Sequence, residues 1–473
     1  MTRREVAEPS LEADTIAALA TARGTAALAV IRVSGPRALE VVASRFSDGG
    51  LEDADGRTVW VGWLRDGGYR VIDQVVCVVW RGPRSSTGED VVEVTCHGGD
   101  VVAGAVLRSL FGAGARPARP GEFTQRAFLN GKLDLAQAEA VADLIHAEST
   151  VGHRAAVSAL GGTVSEVVAD IRESLVGTAA LVELELDFAE EDVELADRAT
   201  LRARLGDADR MLAELVGTAR LGALARDGLR VVIGGRPNAG KSTLLNALVG
   251  EDRAIVSPTA GTTRDAVEAA VELGGLRVRF LDTAGLRETA DAIEAEGTRR
   301  ARAAIDRADI LLYVFDATLG LDAEEHAFLE ALPPDRPVVL VANKSDLEAA
   351  TDAETRGVSG RVLEAALRVS AHAALEDASA LDGVRVAILK AVQAGGLEVA
   401  AAGGVFVNER HRAHLEAARE AVRRACAALE VGSGGDTLAL DLRAAMRELG
   451  MVTGAVTTEH VLDAVFSQFC IGK

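Results

Sequence analysis

The stretch Leu229-Arg-Val-Val-Ile-Gly-Gly-Arg-Pro-Asn-Ala-Gly-Lys-Ser-Thr-Leu-Leu-Asn-Ala-Leu248 decides the fold of this chain. An apolar run, Leu229–Ile233, reads as a strand. Gly235-Arg-Pro-Asn-Ala-Gly-Lys241-Ser242 follows it, and then a helical pattern, Ser242–Leu248, stopped at Gly250. Glycines at these spacings let main-chain amides wrap phosphate oxygens, and the helix N-terminus adds positive potential. Asn238, Ala239, Gly240, Lys241, Ser242 and Thr243 are therefore candidate phosphate-binding residues. Lys241 would reach the β- and γ-phosphates, which also makes it a catalytic candidate, and the Ser242 hydroxyl would bind Mg²⁺.

Downstream, short motifs follow in the order that a GTP-binding sheet requires. Thr262-Thr263-Arg264-Asp265 can supply a hydroxyl to Mg²⁺, with Thr263 the candidate ligand. Asp282-Thr283-Ala284-Gly285 follows a strand, Val278–Leu281, so Asp282 would hold the metal through water and Gly285 would sense the γ-phosphate. Asn343-Lys344-Ser345-Asp346 follows Val338–Val341. Guanine presents N1–H and a 2-amino group side by side, and the Asp346 carboxylate can accept both; adenine lacks that N1–H, so the pairing selects against ATP. Ser370-Ala371, after Leu367–Val369, would close over the base. Leu286 stands where many GTPases carry a water-orienting Gln, and leucine cannot hydrogen-bond water. Glu288, Asp291, Glu294 and Glu296 are the nearby carboxylates, each of which also reads as a solvated charge. No arginine finger is evident in the chain, so the extra positive charge could come from a bound cation.

Outward from this core, the 473 residues exceed one hydrophobic core's usual reach, and about three domains are expected. Aromatics are only 3%, so the interior must be built from Ala, Val and Leu. The net charge of −20 repels phosphate backbones at long range, so nucleic acid must be met by a local basic patch or through a partner. Four scattered cysteines (Cys77, Cys96, Cys426 and Cys470) argue against a zinc site or a disulfide framework. The N-terminus has no signal-peptide pattern, and no apolar run is long enough for a bilayer, so a cytoplasmic protein without membrane contact is expected. The expected boundaries are 1–130 for a small α/β domain with strands at Val71–Trp80 and Val91–Thr95; 131–228 for amphipathic helices; 229–392 for a doubly wound parallel sheet; and 393–473 for further helices. The helical segments should pack as one bundle, with the ends of the insert close together.

The flanks carry a resemblance. Ile31-Arg-Val-Ser-Gly35, Thr87-Gly-Glu-Asp90, Cys96-His-Gly-Gly99, Arg119-Pro-Gly-Glu-Phe123, Arg126-Ala-Phe-Leu-Asn130, Lys132-Leu-Asp-Leu-Ala-Gln-Ala-Glu139 and the terminal Phe469-Cys-Ile-Gly-Lys473 resemble the MnmE (TrmE) family of tRNA-modification GTPases over essentially the whole chain. The resemblance implies a Ras-like P-loop GTPase domain inserted into the helical bundle, behind an N-terminal folate-binding-like, dimer-forming domain. It implies K⁺-stimulated hydrolysis when two G domains of a homodimer meet. Asn238, Ser257, Thr259 and Thr262 would be the K⁺ ligands, and Glu294 the water-orienting carboxylate.

It further implies an FAD-carrying partner of the MnmG type and a tetrahydrofolate derivative as one-carbon donor. The product would be an aminomethyl-type group, such as carboxymethylaminomethyl, at C5 of the wobble uridine of certain tRNAs. Arg32, Glu93, Lys132 and Lys473 would line the folate site, since a pterin presents two adjacent donors to a carboxylate and its glutamate tail suits Arg or Lys. The segment Thr21-Ala-Arg-Gly-Thr-Ala-Ala-Leu28 departs from the family pattern and keeps only Gly24 of a glycine cluster, which would crowd a closely approaching ligand.

Cys470 has two readings, an inert buried thiol or a nucleophile beside Lys473. The acidic run Glu183–Glu194 reads as a solvated helix face. Arg410-His-Arg412 and Arg423-Arg424 read equally as tRNA contacts or as helix-surface charge. A ribosome-assembly or RNA-binding switch without modification chemistry is the competing reading.

Overall fold

The computed structural model describes residues 14–187, 197–250, 268–282, 304–334, 336–347, 366–393, 404–431 and 435–473. They fall into two units: residues 1–142, 160–210 and 414–473 form one, and residues 143–159 and 211–413 the other.

In the first unit, β1 (Ile16–Leu19), β2 (Leu28–Ser34), β3 (Thr58–Arg65), β4 (Val71–Trp80), β5 (Val91–His97) and β6 (Arg116–Pro117) make one sheet of order β3-β4-β5-β2-β1-β6. Neighbours are antiparallel except β1 and β6. Period-two alternation buries Val75, Cys77 and Val79 of β4 with Val92, Val94 and Cys96 of β5 on one face. The helices Ala38–Ala43 and Asp100–Gly112 pack there. On the other face, Phe123 of the helix Glu122–Leu129 covers Ile16 and Ala18 at the β1 side, and the β3 side stays open.

The helices of this unit come from two distant stretches of chain. Val164, Val168, Ile171 and Leu175 are one buried stripe of Thr163–Asp187, at the spacing a core-facing helix needs. That helix packs on Gly435–Thr453, which buries Leu438, Leu442, Ala445 and Leu449. Asp209 accepts from both Arg419 and Arg423, joining positions 210 and 214 residues apart. Two sequence segments thus share one bundle.

The second unit holds β7 (Leu229–Gly234), β8 (Glu268–Leu273), β9 (Leu276–Asp282), β10 (Ile310–Asp316), β11 (Val338–Asn343) and β12 (Leu367–Arg368), in the order β12-β11-β10-β7-β9-β8. All pairs are parallel except β8 with β9. Every residue of β10 but Asp316 is buried, which is why the strand reads as an unbroken apolar run. The strand order reverses at β7, so a crevice opens where the strand ends diverge, at the loop after β7. Before β7, the helix Ala219–Asp227 lies tight against the returning chain: a Cβ at Gly222 would come within 2.6 Å of the Val407 carbonyl oxygen. The entry and exit of the sheet are therefore side by side.

Candidate functional site

The loop leaving β7 is shaped by backbone that only certain residues tolerate. Gly235 has φ 137° and Gly240 φ 89°. Their Cβ atoms would meet the Val314 carbonyl oxygen at 2.0 Å and Asn343 Nδ2 at 2.2 Å. Asn238 takes a left-handed φ of 64°, a conformation asparagine accepts better than most residues. Lys241 opens the helix Lys241–Val249, is 6% exposed, and folds its ammonium back over the loop. Its Nζ donates to the carbonyls of Gly235 (2.9 Å) and Arg236 (2.7 Å). Ala239 is buried, Thr243 half-buried, and Ser242 exposed at the helix start. The glycines leave a cradle lined by main chain, at the positive end of a helix dipole, with one ammonium inside it. Such a cradle suits a polyphosphate.

Asn343 ties this loop to the other motifs. Its Nδ2 donates to the Ala239 carbonyl at 2.8 Å, and its Oδ1 accepts from the Ala371 amide at 2.9 Å. The three motifs therefore meet through one buried side chain. Lys344, at φ 64°, pairs with Asp316 at 2.7 Å. Burial acts to raise the Asp316 carboxyl, but Lys344 and Thr318 outweigh it and hold the group below its ordinary value. Asp346 is exposed and accepts from the Ser370 hydroxyl, which lowers its pKa, so it stands ionised with lone pairs left for two adjacent donors. Asp282 ends β9 opposite Ile233, beside the loop. The side chain of Asp282, and Ser257, Thr259, Thr262, Thr263, Thr283, Ala284, Gly285 and Glu294, lie outside the described residues.

Sequence reasoning missed one buttress. Arg236, inside the loop, donates to Asp322 (3.0 Å), Glu325 (2.7 Å) and the Gly320 carbonyl (3.1 Å). Glu325 is buried and also accepts from Tyr313 at 3.0 Å. The Asp-x-x-Glu spacing of 322–325, a capping box in the structure, was the legible signal.

In the N-terminal sheet, Arg32 and Glu93 are cross-strand partners and form an ion pair at 2.8 Å on the face opposite the two packed helices. Lys132 donates from Nζ to the Pro83 carbonyl at 3.1 Å. Lys473 ends a tail whose Gly472 fits against the Leu19 carbonyl oxygen, at the end of β1. Cys470 is exposed, which removes the reading of a buried thiol.

The motifs around Glu89, Glu122 and Arg126 prove to be a buried ion network. Arg126 is 2% exposed and reaches Asp14 (2.7 Å), Glu89 (3.1 Å) and Glu122 (3.1 Å), while Arg116 bonds Asp14 and Glu122. Burial pushes the Glu122 carboxyl up, but Arg116, the Arg119 amide and Arg126 overcome it and hold the pKa at about 2. A depressed carboxylate contributes stability above its unfolded value of 4.5 and loses that contribution as pH falls toward the folded value. The unfolding free energy of this unit is accordingly expected to decline from about pH 4.5 toward pH 2. All three tryptophans (Trp60, Trp63 and Trp80) lie in β3 and β4, so their fluorescence reports this transition; no change across that window would contradict the assignment.

The helical arginines are not a free basic patch. Arg412 pairs with Glu409, Arg423 with Asp209 and Arg424 with Asp441, and His411 is buried. Nor is the described part of the acidic run merely solvated: Glu183 pairs with Arg443 and Glu185 with Arg198. Among the described residues, no helix is long and apolar enough to cross a membrane, and no cluster of His, Cys, Asp and Glu could hold a metal ion.

Known proteins match these features along the whole chain. The MnmE helical domain family matches residues 135–470, and the family described as GTP-binding protein TrmE N-terminus matches residues 15–132. The tRNA modification GTPase MnmE of Salinibacter ruber is 54% identical, covering 98% of this chain and 100% of the relative. Those of Cytophaga hutchinsonii (41%; 97% and 98%) and Symbiobacterium thermophilum (43%; 97% and 99%) are similar over equal spans.

Proposed function

Because this chain belongs to the MnmE family of tRNA modification GTPases, we propose that it binds and hydrolyses GTP to drive modification at C5 of the wobble uridine (U34) of certain tRNAs, in the cytoplasm. The observation that carries the nucleotide half of this reading is Asn343, which joins the phosphate cradle to the Asp346 and Ser370-Ala371 motifs.

The domain boundaries that accompany the reading are 1–130, 131–228, 229–392 and 393–473. Asp346 would take the guanine N1–H and 2-amino group, and Lys241 the β- and γ-phosphates. Ser242 and Thr263 would hold Mg²⁺, whose charge offsets that of the phosphates. Asn238, with Ser257, Thr259 and Thr262, would hold K⁺ where other GTPases use an arginine finger. Leu286 cannot orient water, and Glu294 takes that role. The Arg32–Glu93 pair, with Lys132 and Lys473, would receive a tetrahydrofolate derivative, and Cys470, exposed at the tail, is the remaining catalytic candidate. Val59, Val61 and Trp63 stand exposed on the edge strand β3, an apolar row that supports a homodimer. The FAD needed for the redox part of the reaction would belong to an MnmG-type partner.

Nucleoside mass spectrometry of tRNA from a deletion strain is expected to show loss of the modified wobble uridine. Unaltered uridines would instead favour a ribosome-assembly switch. With the purified protein, replacing K⁺ by Na⁺ should slow GTP turnover by about tenfold or more, as removal of a transition-state charge does. Equal rates in the two salts would remove the cation from the mechanism.

A further inference from the structure

Arg412, Arg423 and Arg424 are spent on carboxylates, so a chain of net charge −20 must meet a polyanion elsewhere. One corner of the N-terminal sheet has the opposite charge balance. At the bridge between Phe46 and Leu64, the Arg65 amide donates to the Arg45 carbonyl at 2.9 Å. Both residues are tied to the end of the helix Asp100–Gly112, which has no carboxylate beyond Asp100. Arg45 donates from Nη2 to the Gly112 carbonyl at 3.0 Å, and the Arg65 carbonyl accepts the Ser109 hydroxyl at 2.6 Å. Arg108 is exposed one turn before Gly112, on the same side of that helix.

Among the described residues, Arg45, Arg65 and Arg108 have no carboxylate partner, and the buried Nε atoms of Arg45 and Arg65 have no hydrogen-bond partner. The carboxylates nearest in sequence are engaged elsewhere: Glu40 by Arg37, Asp66 by Arg70, and Asp48 by the Gly50 amide. The protein thus leaves three guanidinium charges of this corner unneutralised, and neighbouring like charges favour a bound anion. The hairpin tip Asp66–Arg70 adjoins them, since a Cβ at Gly67 would lie 3.6 Å from Arg45 Nη1. Tyr69 of that tip is 80% exposed and takes a left-handed φ of 61°, which bulky residues rarely adopt. Asp66 holds the turn in this shape. Its carboxylate accepts the Gly68 and Arg70 amides at 2.8 and 2.9 Å, and its carbonyl accepts the Tyr69 amide at 3.0 Å. An aromatic ring held in water beside unpaired arginines matches what unpaired nucleotides offer: a base face to stack and a phosphate to pair.

We propose that this corner is a docking surface for tRNA, with Arg45, Arg65 and Arg108 facing backbone phosphates and Tyr69 stacking on an unpaired base. The proposal rests on the tRNA reading given above and names the surface that holds that substrate. Charge complementarity argues for the occupant: the corner is cationic on a strongly acidic chain, and tRNA carries a phosphate at every nucleotide. Phosphate contacts carry no sequence information, so the corner positions tRNA and leaves the choice of wobble base to other groups. Tyr69 adds a contact that a purely electrostatic surface lacks, because stacking needs a base turned out of its helix.

The test titrates the full-length protein, alone and with its FAD-dependent partner, into a labelled unmodified tRNA transcript over a series of salt concentrations. Arg108→Glu and Tyr69→Ala change exposed side chains, so both variants are expected to fold. Arg108→Glu should weaken tRNA binding by about tenfold or more and reduce the slope of log affinity against log salt by about one. Tyr69→Ala should weaken binding by about tenfold with the slope unchanged, since stacking releases no counterions. In the modification assay both variants should raise KM for tRNA and keep the parental kcat, and GTP hydrolysis without tRNA should stay parental. Parental affinity and salt slope in both variants overturn the proposal. So does loss of self-association or of partner assembly with unchanged tRNA affinity in the assembled complex, which would make the corner a protein-docking surface. If the parent itself binds no tRNA, alone or with the partner, the tRNA reading fails and takes the proposal with it.

Discussion

Calorimetric titration of the Asp346→Asn variant is expected to return a GTP dissociation constant about a thousandfold above the parent's, because a site built to pair buried donors rejects a mismatch strongly. The physical reason is geometric as much as electrostatic. The Asp346 carboxylate is ionised and already accepts the Ser370 hydroxyl, with lone pairs left for two donors. An asparagine amide keeps one acceptor and turns a donor toward the guanine 2-amino group, so one hydrogen bond is lost and a donor–donor clash is gained. Xanthosine triphosphate, which carries an acceptor at that position, should gain affinity in the same variant. The backbone arrangement set by Asn343 does not depend on the Asp346 charge, so folding should be unchanged. A parental GTP affinity in the variant would mean that another group reads the base.

Arg126→Ala should remove about 3–5 kcal/mol from the stability of the first unit, the usual effect of deleting one partner of a buried ion group. Arg126 serves three carboxylates, Asp14, Glu89 and Glu122, and Glu122 is fully buried. Arg116 can compensate Glu122 and Asp14 in part, but among the described residues Glu89 keeps only the Ser34 hydroxyl. Urea unfolding followed by the three tryptophans measures the loss within this unit. Arg126→Lys should recover only part of it, since one ammonium cannot reproduce the guanidinium fork. A change below about 1 kcal/mol would show that the carboxylates are satisfied without Arg126. GTP affinity, set by the second unit, should stay at the parental value and separates a folding effect from a nucleotide effect.

This network also shows where reading the chain residue by residue stops. The motifs around Thr87–Asp90, Glu122 and Arg126 could be recognised as belonging together, but their chemistry could not be stated from spacing. Charged residues far apart in sequence read as solvated until a fold buries them, and Asp14 and Arg126 are separated by 112 positions. The same holds for Arg423, which spacing offers as a phosphate contact and which instead pairs with Asp209 from the other helical segment.

What the amino-acid order determined alone was local and periodic: the strands at Leu229 and Val338, the helix after Lys241, the buried stripe from Val164 to Leu175, and the glycines at 235 and 240. These follow from side-chain periodicity and allowed backbone angles, which need only near neighbours. Tertiary structure alone decided which distant groups meet. It set Asn343 between Ala239 and Ala371, Arg236 on Glu325, Arg32 on Glu93 and His97 on Asp73. Strand order and register create those meetings, and a chain holds no local mark of either, because hydrogen-bonded ladders join whichever strands the whole core brings side by side.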